Sequence, residues 1–125
     1  MKLTDFKVGD MLWRVDYDKK SGAVSFTPFP ISKVGRKYVY VRIGYWDAQF
    51  QMHIKEDCFL EVKDWGSPEV LYFSEQDARD YVERRDCEDF LARLDSWGLR
   101  KYSLETLRKA VRILKAEKVS NSDGV

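Results

Sequence analysis

The residues with the side chains for nucleophilic catalysis are His53, Asp57 and Cys58, which lie close together in the chain. A thiol becomes a nucleophile when an adjacent base removes its proton, so the histidine must lie beside the cysteine. The alternation of residues 48–54 predicts a strand with His53 on its polar face and leaves Cys58 beyond the strand end. This separation favours a surface histidine and a buried thiol over thiol catalysis.

Two carboxylates, Asp16 and Asp18, are spaced to share one face at the end of a strand. Without a third ligand they indicate solvated loop acids rather than a metal site. The chain contains no G-x-G-x-x-G, no P-loop and no H-E-x-x-H motif. We therefore expect a protein that is not an enzyme and that uses neither cofactor nor metal.

An aromatic and basic cluster lies around residues 33–42. Tyr38 and Tyr40 alternate with apolar residues, which predicts that both rings lie on one strand face. Stacking rings beside cations bind single-stranded nucleic acid by holding bases and phosphates. The cations that would contact phosphates are Lys33, Arg36, Lys37 and Arg42. The alternative is that cross-strand neighbours or the helical tail cover the tyrosines, and we expect the tail to cover at least one.

Two tryptophans suggest a protein partner instead. Trp46 follows a glycine turn and Trp65 lies in a connector, and tryptophan is enriched at interface hot spots. The alternative is that both rings pack at the corners that close a barrel.

The strand that carries the tyrosines organises the fold. Val39, Val41 and Ile43 alternate with polar residues and are expected in the core. Gly35 is expected to reverse the chain before this strand through a positive φ. Further alternating segments begin near Met11, Val24, Ala48, Phe59 and Val70. Short strands separated by glycine turns predict a small antiparallel barrel of five to six strands over residues 1–73. Pro28 and Pro30 require the second strand to be an edge, bent or bulged.

The pattern then changes to a helical period. Ser74 is expected to cap a helix from Glu75 to about Asp95, with Gly98 as its stop. The apolar residues of this helix form two groups, so the first half is predicted to dock on the barrel and the second half on the last helix. That last helix follows Ser103 and ends near Glu117, and residues 118–125 are expected to fray. Its apolar stripe is expected to face the body of the protein: Leu104, Leu107, Val111 and Leu114. Residues 74–117 would thus form a helical hairpin packed on the barrel within one domain.

Charge is segregated along the 125 residues. Residues 1–66 hold 11 Lys/Arg and 9 Asp/Glu, residues 67–96 hold 4 and 9, and residues 97–125 hold 7 and 3. The acidic and basic ends favour pairing of Arg108, Arg112 and Lys115 with carboxylates of the preceding helix. The absence of an apolar leader and of a membrane span predicts a cytoplasmic protein.

Three segments resemble small phage and prophage β-barrel proteins: Phe6–Asp10, Ser32–Val41 and Tyr72–Ala78. The resemblance covers roughly residues 6–115 and implies an SH3-like barrel followed by a short helical segment in an α+β chain. It implies no catalytic residues, and it implies a bacterial host cell.

Proteins of this resemblance often bind a host macromolecule. We therefore expect a host protein as the partner, with inhibition of a host or defence factor in the manner of an anti-CRISPR protein. Binding of single-stranded nucleic acid and assembly of a homodimer are the alternatives. The candidate partner-binding residues are Tyr38, Tyr40, Arg36, Lys37, Arg42, Trp46, Trp65, Arg108 and Arg112.

Overall fold

Six antiparallel strands form a closed barrel in the computed structural model, which describes the backbone of residues 1–123 and the side chains of residues 1–117. Each strand pairs with the next in sequence, and the first also pairs with the last. The strands are β1 Met11–Tyr17, β2 Val24–Val34, β3 Val39–Ile43, β4 Trp46–His53, β5 Cys58–Glu61 and β6 Val70–Tyr72. The predicted antiparallel barrel and the α+β class are confirmed.

The barrel interior is the main apolar core. Val39 and Val41 are completely buried, as predicted, whereas Ile43 is half-buried against the edge of the core. Leu12 and Phe50 reach the same interior from β1 and β4. Inward residues alternate with outward ones along each strand. Because one face of β3 lies in the core, its other face points out of the barrel.

Strand β2 pairs with β1 over residues 24–30 and with β3 only from Ile31 onward, so Pro28 and Pro30 lie where one side of the strand has no ladder partner. This agrees with the predicted edge position, because proline has no N–H to donate to a second neighbour. The pairing with β3 then shifts its register between Ile31 and Lys33.

Helix α1 covers part of the outer barrel surface with its first half. Ser74 Oγ accepts the backbone N–H of Asp77 at 3.0 Å, which confirms the predicted cap of α1 (Glu75–Ala92). Ala78 is completely buried, and the Tyr81 ring lies 5.1 Å from that of Tyr72. Docking of the first half on the barrel is therefore confirmed.

The remaining helices are α2 (Ser96–Leu99) and α3 (Leu104–Asp123). Gly98 does not stop α1, which ends earlier; instead Asp95 caps α2 by accepting the Gly98 N–H at 2.7 Å. Ser103 Oγ caps α3 through the Thr106 N–H, as predicted. Among residues 1–123, no helix combines the length and apolar composition needed to cross a membrane.

The chain divides into two compact units, Met1–Arg84 and Arg85–Val125, with the boundary inside α1. In the second unit the predicted burial of the α3 stripe is wrong for three of its four residues. Leu104, Val111 and Leu114 are exposed, and only Leu107 is half-buried. Arg108, Arg112 and Lys115 form no ion pair with a described carboxylate of the second unit, so the predicted pairing is absent there.

Truncating Val41 to Ala is expected to lower the free energy of unfolding by about 1–3 kcal/mol. The side chain is completely buried, so its loss removes apolar burial and leaves a cavity. Urea denaturation of the parent and the variant measures the change. An unchanged midpoint would contradict the core position of β3.

Candidate nucleic-acid interface

The turn between β2 and β3 spans residues 35–38 and is closed by a hydrogen bond from the Gly35 N–H to the Tyr38 carbonyl oxygen at 2.8 Å. The predicted positive φ at Gly35 is wrong, because this glycine is not among those in the left-handed region. Close approach explains the glycine instead. An added Cβ would lie 3.2 Å from the Tyr38 carbonyl oxygen and 3.5 Å from the Tyr40 ring.

Each tyrosine of this hairpin is held beside a lysine. Lys33 Nζ lies 5.3 Å from the centre of the Tyr40 ring, and Lys37 Nζ lies 5.5 Å from that of Tyr38. The first pair follows from the register, which places Lys33 directly opposite Tyr40. Both rings are half-buried and both lysines are exposed. These are cation–π contacts, and they place a positive charge beside each aromatic face.

Arg36 and Arg42 extend the positive charge along the same hairpin, and both are exposed. None of the four cations forms an ion pair with another described residue. A carboxylate, that of Asp47, lies opposite Arg42 in the β3–β4 pairing. Ser32 Oγ lies 3.3 Å from Asp47 Oδ1 and donates to the Tyr40 carbonyl oxygen at 2.9 Å. We call Lys33, Arg36, Lys37, Tyr38, Tyr40 and Arg42 the basic hairpin face.

The first half of α1 packs on a different part of the outer barrel. Its cluster consists of residues on β1, β2, β5 and β6: Trp13, Val15, Phe26, Cys58, Val70 and Tyr72. The two tyrosines of the basic hairpin face do not belong to that cluster. The expectation that the helical tail covers one of them stays a prediction.

A family model described as Phage ProQ C-terminal-like domain matches residues 1–119. The chain belongs to this family. The match agrees with the resemblance to phage barrel proteins seen in the sequence, and it supports a phage-type or nucleic-acid-related small domain. No curated protein and no solved structure matches the chain.

The two candidate tryptophans of this ProQ C-terminal-like domain are separate from the basic hairpin face. Trp46 is 61% exposed and Trp65 80% exposed, so neither is packed into a barrel corner. Trp46 pairs with Ile43 and therefore lies on the opposite sheet face from Tyr40. The neighbouring Tyr45 is 92% exposed and was not singled out from the sequence, although its place after Gly44 in a tight turn could have indicated it.

His53 and Cys58 are closer than the sequence indicated, because Cys58 begins β5 and pairs directly with His53 of β4. The arrangement still does not activate the thiol. Cys58 is buried, and no hydrogen bond joins it to His53 in the described structure. Burial, followed by the nearby carboxylates of Glu56 and Asp57, raises the pKa of the Cys58 thiol to about 11. The thiol is therefore neutral near pH 7.

The Cys58 thiol is expected to resist labelling while Cys87, which is exposed, reacts readily. A disulfide reagent at pH 8 should therefore modify one thiol per folded chain, and denaturant should release the second. The matched control is Cys87→Ser, which should remove the rapid reaction. Two rapidly reacting thiols in the folded parent would contradict the buried position of Cys58.

Asp16 and Asp18, the candidate metal ligands, are engaged by protein groups. Asp16 forms an ion pair with Arg14 at 2.8 Å and accepts a hydrogen bond from Thr27. Asp18 accepts the hydroxyl of Ser21 at 2.7 Å in the β1–β2 turn, and this bond is the largest cause of its lowered pKa. Both carboxylates thus hold the β1–β2 hairpin together.

Proposed function

We propose that this domain binds single-stranded nucleic acid through the basic hairpin face, without catalysing a reaction. The observation that carries the proposal is the placement of Lys33 and Lys37 over the rings of Tyr40 and Tyr38. A nucleotide offers an aromatic base and an anionic phosphate, and each pair offers a ring with a cation about 5 Å away. The family match supports a nucleic-acid-related role.

Binding would exchange one set of contacts for another. A lysine side chain is long and flexible, so it can leave the ring face and meet a phosphate while a base stacks on the ring. Arg36 and Arg42 would hold further phosphates, because neither is engaged by a described carboxylate. Stacking accepts every base, so we expect weak sequence preference.

The overall charge of +1 makes this a local interface rather than a general polyanion surface. If three of the four cations each neutralise one phosphate of a single strand, a plot of log affinity against log salt concentration should have a slope of about −2. Fluorescence anisotropy of a labelled single-stranded oligonucleotide across a salt series measures it. The matched control is Lys19→Ala/Lys20→Ala, which removes cations from the β1–β2 turn and should leave the slope unchanged. Absence of salt-sensitive binding would refute the proposal.

A second candidate function is binding of a host protein in the bacterial cytoplasm, including inhibition of a defence factor. The exposure of Tyr45, Trp46 and Trp65 favours it, because large exposed aromatics are typical of interface hot spots. Tyr45 and Trp46 follow β3, whereas Tyr38 precedes it, so these rings belong to opposite ends of the strand. Loss of protein capture from a bacterial lysate by Trp46→Ala, with oligonucleotide binding unchanged, would assign protein binding to the turn after β3.

A further inference from the structure

The second unit contains many apolar side chains but no buried core. None of residues 85–117 is buried. The exposed large apolar side chains are Phe90, Leu91, Trp97, Tyr102, Leu104, Val111, Ile113 and Leu114. Most helical stability in proteins comes from the packing of an apolar face, and the described side chains of this unit form no buried face. The apolar side chains of this unit therefore need a packing partner.

The apolar residues of α3 have the spacing of a helix interface. Leu104, Leu107, Val111 and Leu114 follow a 3-4-3 pattern, which places them on one stripe. Ile113 lies on the other side of the helix, two residues from Val111. A narrow stripe of this kind is the surface that a second helix covers.

The charges indicate which helix that is. Residues 85–96 hold 4 Asp/Glu and 2 Arg, whereas residues 97–117 hold 6 Lys/Arg and 2 Glu. Arg108 and Lys115 flank the α3 stripe, so two α3 helices packed antiparallel on one another would bring like charges together. The acidic end of α1 offers the opposite charge and its own apolar residues, Phe90 and Leu91.

We propose that the cover is a second copy of this chain, with α3 of each copy packed on the second half of α1 of the other. A two-fold axis makes each such contact twice, so one acidic and one basic segment per chain complete the interface. The interaction buries the α3 stripe against Phe90 and Leu91 of α1, and it brings the basic residues of α3 beside the acidic residues of α1. It involves the second unit and not the basic hairpin face.

Sedimentation of the full chain over a concentration series tests the pairing, and a dimer is expected. Val111→Glu should raise the dimer dissociation constant about tenfold or more, because it places a charge in the apolar stripe. Ile113→Glu is the matched control, since it adds the same charge to the same helix outside the stripe, and it should change the constant by less than about twofold. A monomer at every concentration, or equal effects of the two variants, would overturn the proposal.

A charge exchange separates a second copy from other covers. Arg108→Glu/Lys115→Glu makes α3 acidic like the second half of α1, and Asp86→Lys/Asp89→Lys makes the second half of α1 basic like α3. Each variant alone should dissociate more readily than the parent, and a mixture of the two should form a heterodimer. Failure of the mixture to associate more strongly than either variant would overturn the arrangement of α3 on α1.

Discussion

The double variant Tyr38→Ala/Tyr40→Ala is expected to lose about 1–3 kcal/mol of single-strand affinity for each ring removed. Both rings carry a lysine over one face and belong to a hairpin with four cations that form no ion pair with a described residue. Removal of the rings leaves those cations in place. Affinity should therefore fall while the slope of log affinity against log salt concentration stays near that of the parent. Anisotropy titrations over a salt series measure both quantities.

The phenylalanine pair Tyr38→Phe/Tyr40→Phe is the matched control, because it keeps the stacking surface and removes only the hydroxyl groups. It should bind within about twofold of the parent, as expected for a substitution that leaves the stacking contact intact. Tyr45→Ala removes a more exposed ring from the other end of β3 and should leave binding unchanged. Two results together would assign both rings to packing alone. The parent would bind no oligonucleotide, and the double alanine variant would melt at a lower temperature than the parent.

The barrel could be predicted from the sequence because its signals are local. Alternation in β3 correctly placed Val39 and Val41 inside, and the serines at positions 74 and 103 capped the helices as expected. The same alternation could not show which strand face a neighbour covers. The cation–π pairing of Lys33 with Tyr40 depends on the β2–β3 register after the shift near Ile31, which no residue pattern fixes.

Longer-range relations were missed for the same reason. The proximity of His53 and Cys58 arises from the short turn between β4 and β5, whose Asp57 adopts a positive φ of 52°. The apolar stripe of α3 was expected to pack against the same chain. Such a stripe indicates that the helix needs a packing partner, but it does not indicate which one. Within the second unit, the side chains of Leu104, Val111 and Leu114 are exposed.

Sequence alternation likewise did not indicate an aromatic cluster in the barrel core, formed by Phe6, Phe59 and Phe73. Phe6 precedes the first strand, yet its ring centre lies 5.0 Å from that of Phe59 and 5.1 Å from that of Phe73. The Phe59 and Phe73 rings are 5.2 Å apart. Rings at these distances attract one another beyond the effect of area burial alone. Phe59 is completely buried, so its truncation would leave a cavity in the core.

Phe59→Ala is therefore expected to lower the free energy of unfolding by about 3–5 kcal/mol, the range for a buried aromatic truncated to alanine. That loss is a large part of the total stability of a small domain. Urea denaturation measures it, and Trp65→Ala is the control, because a side chain that is 80% exposed should cost less than about 0.5 kcal/mol. A loss for Phe59→Ala no greater than that of the control would contradict the buried cluster. Oligonucleotide binding by the fraction that stays folded should match the parent, since the cluster lies inside the barrel and the basic hairpin face on its outer surface.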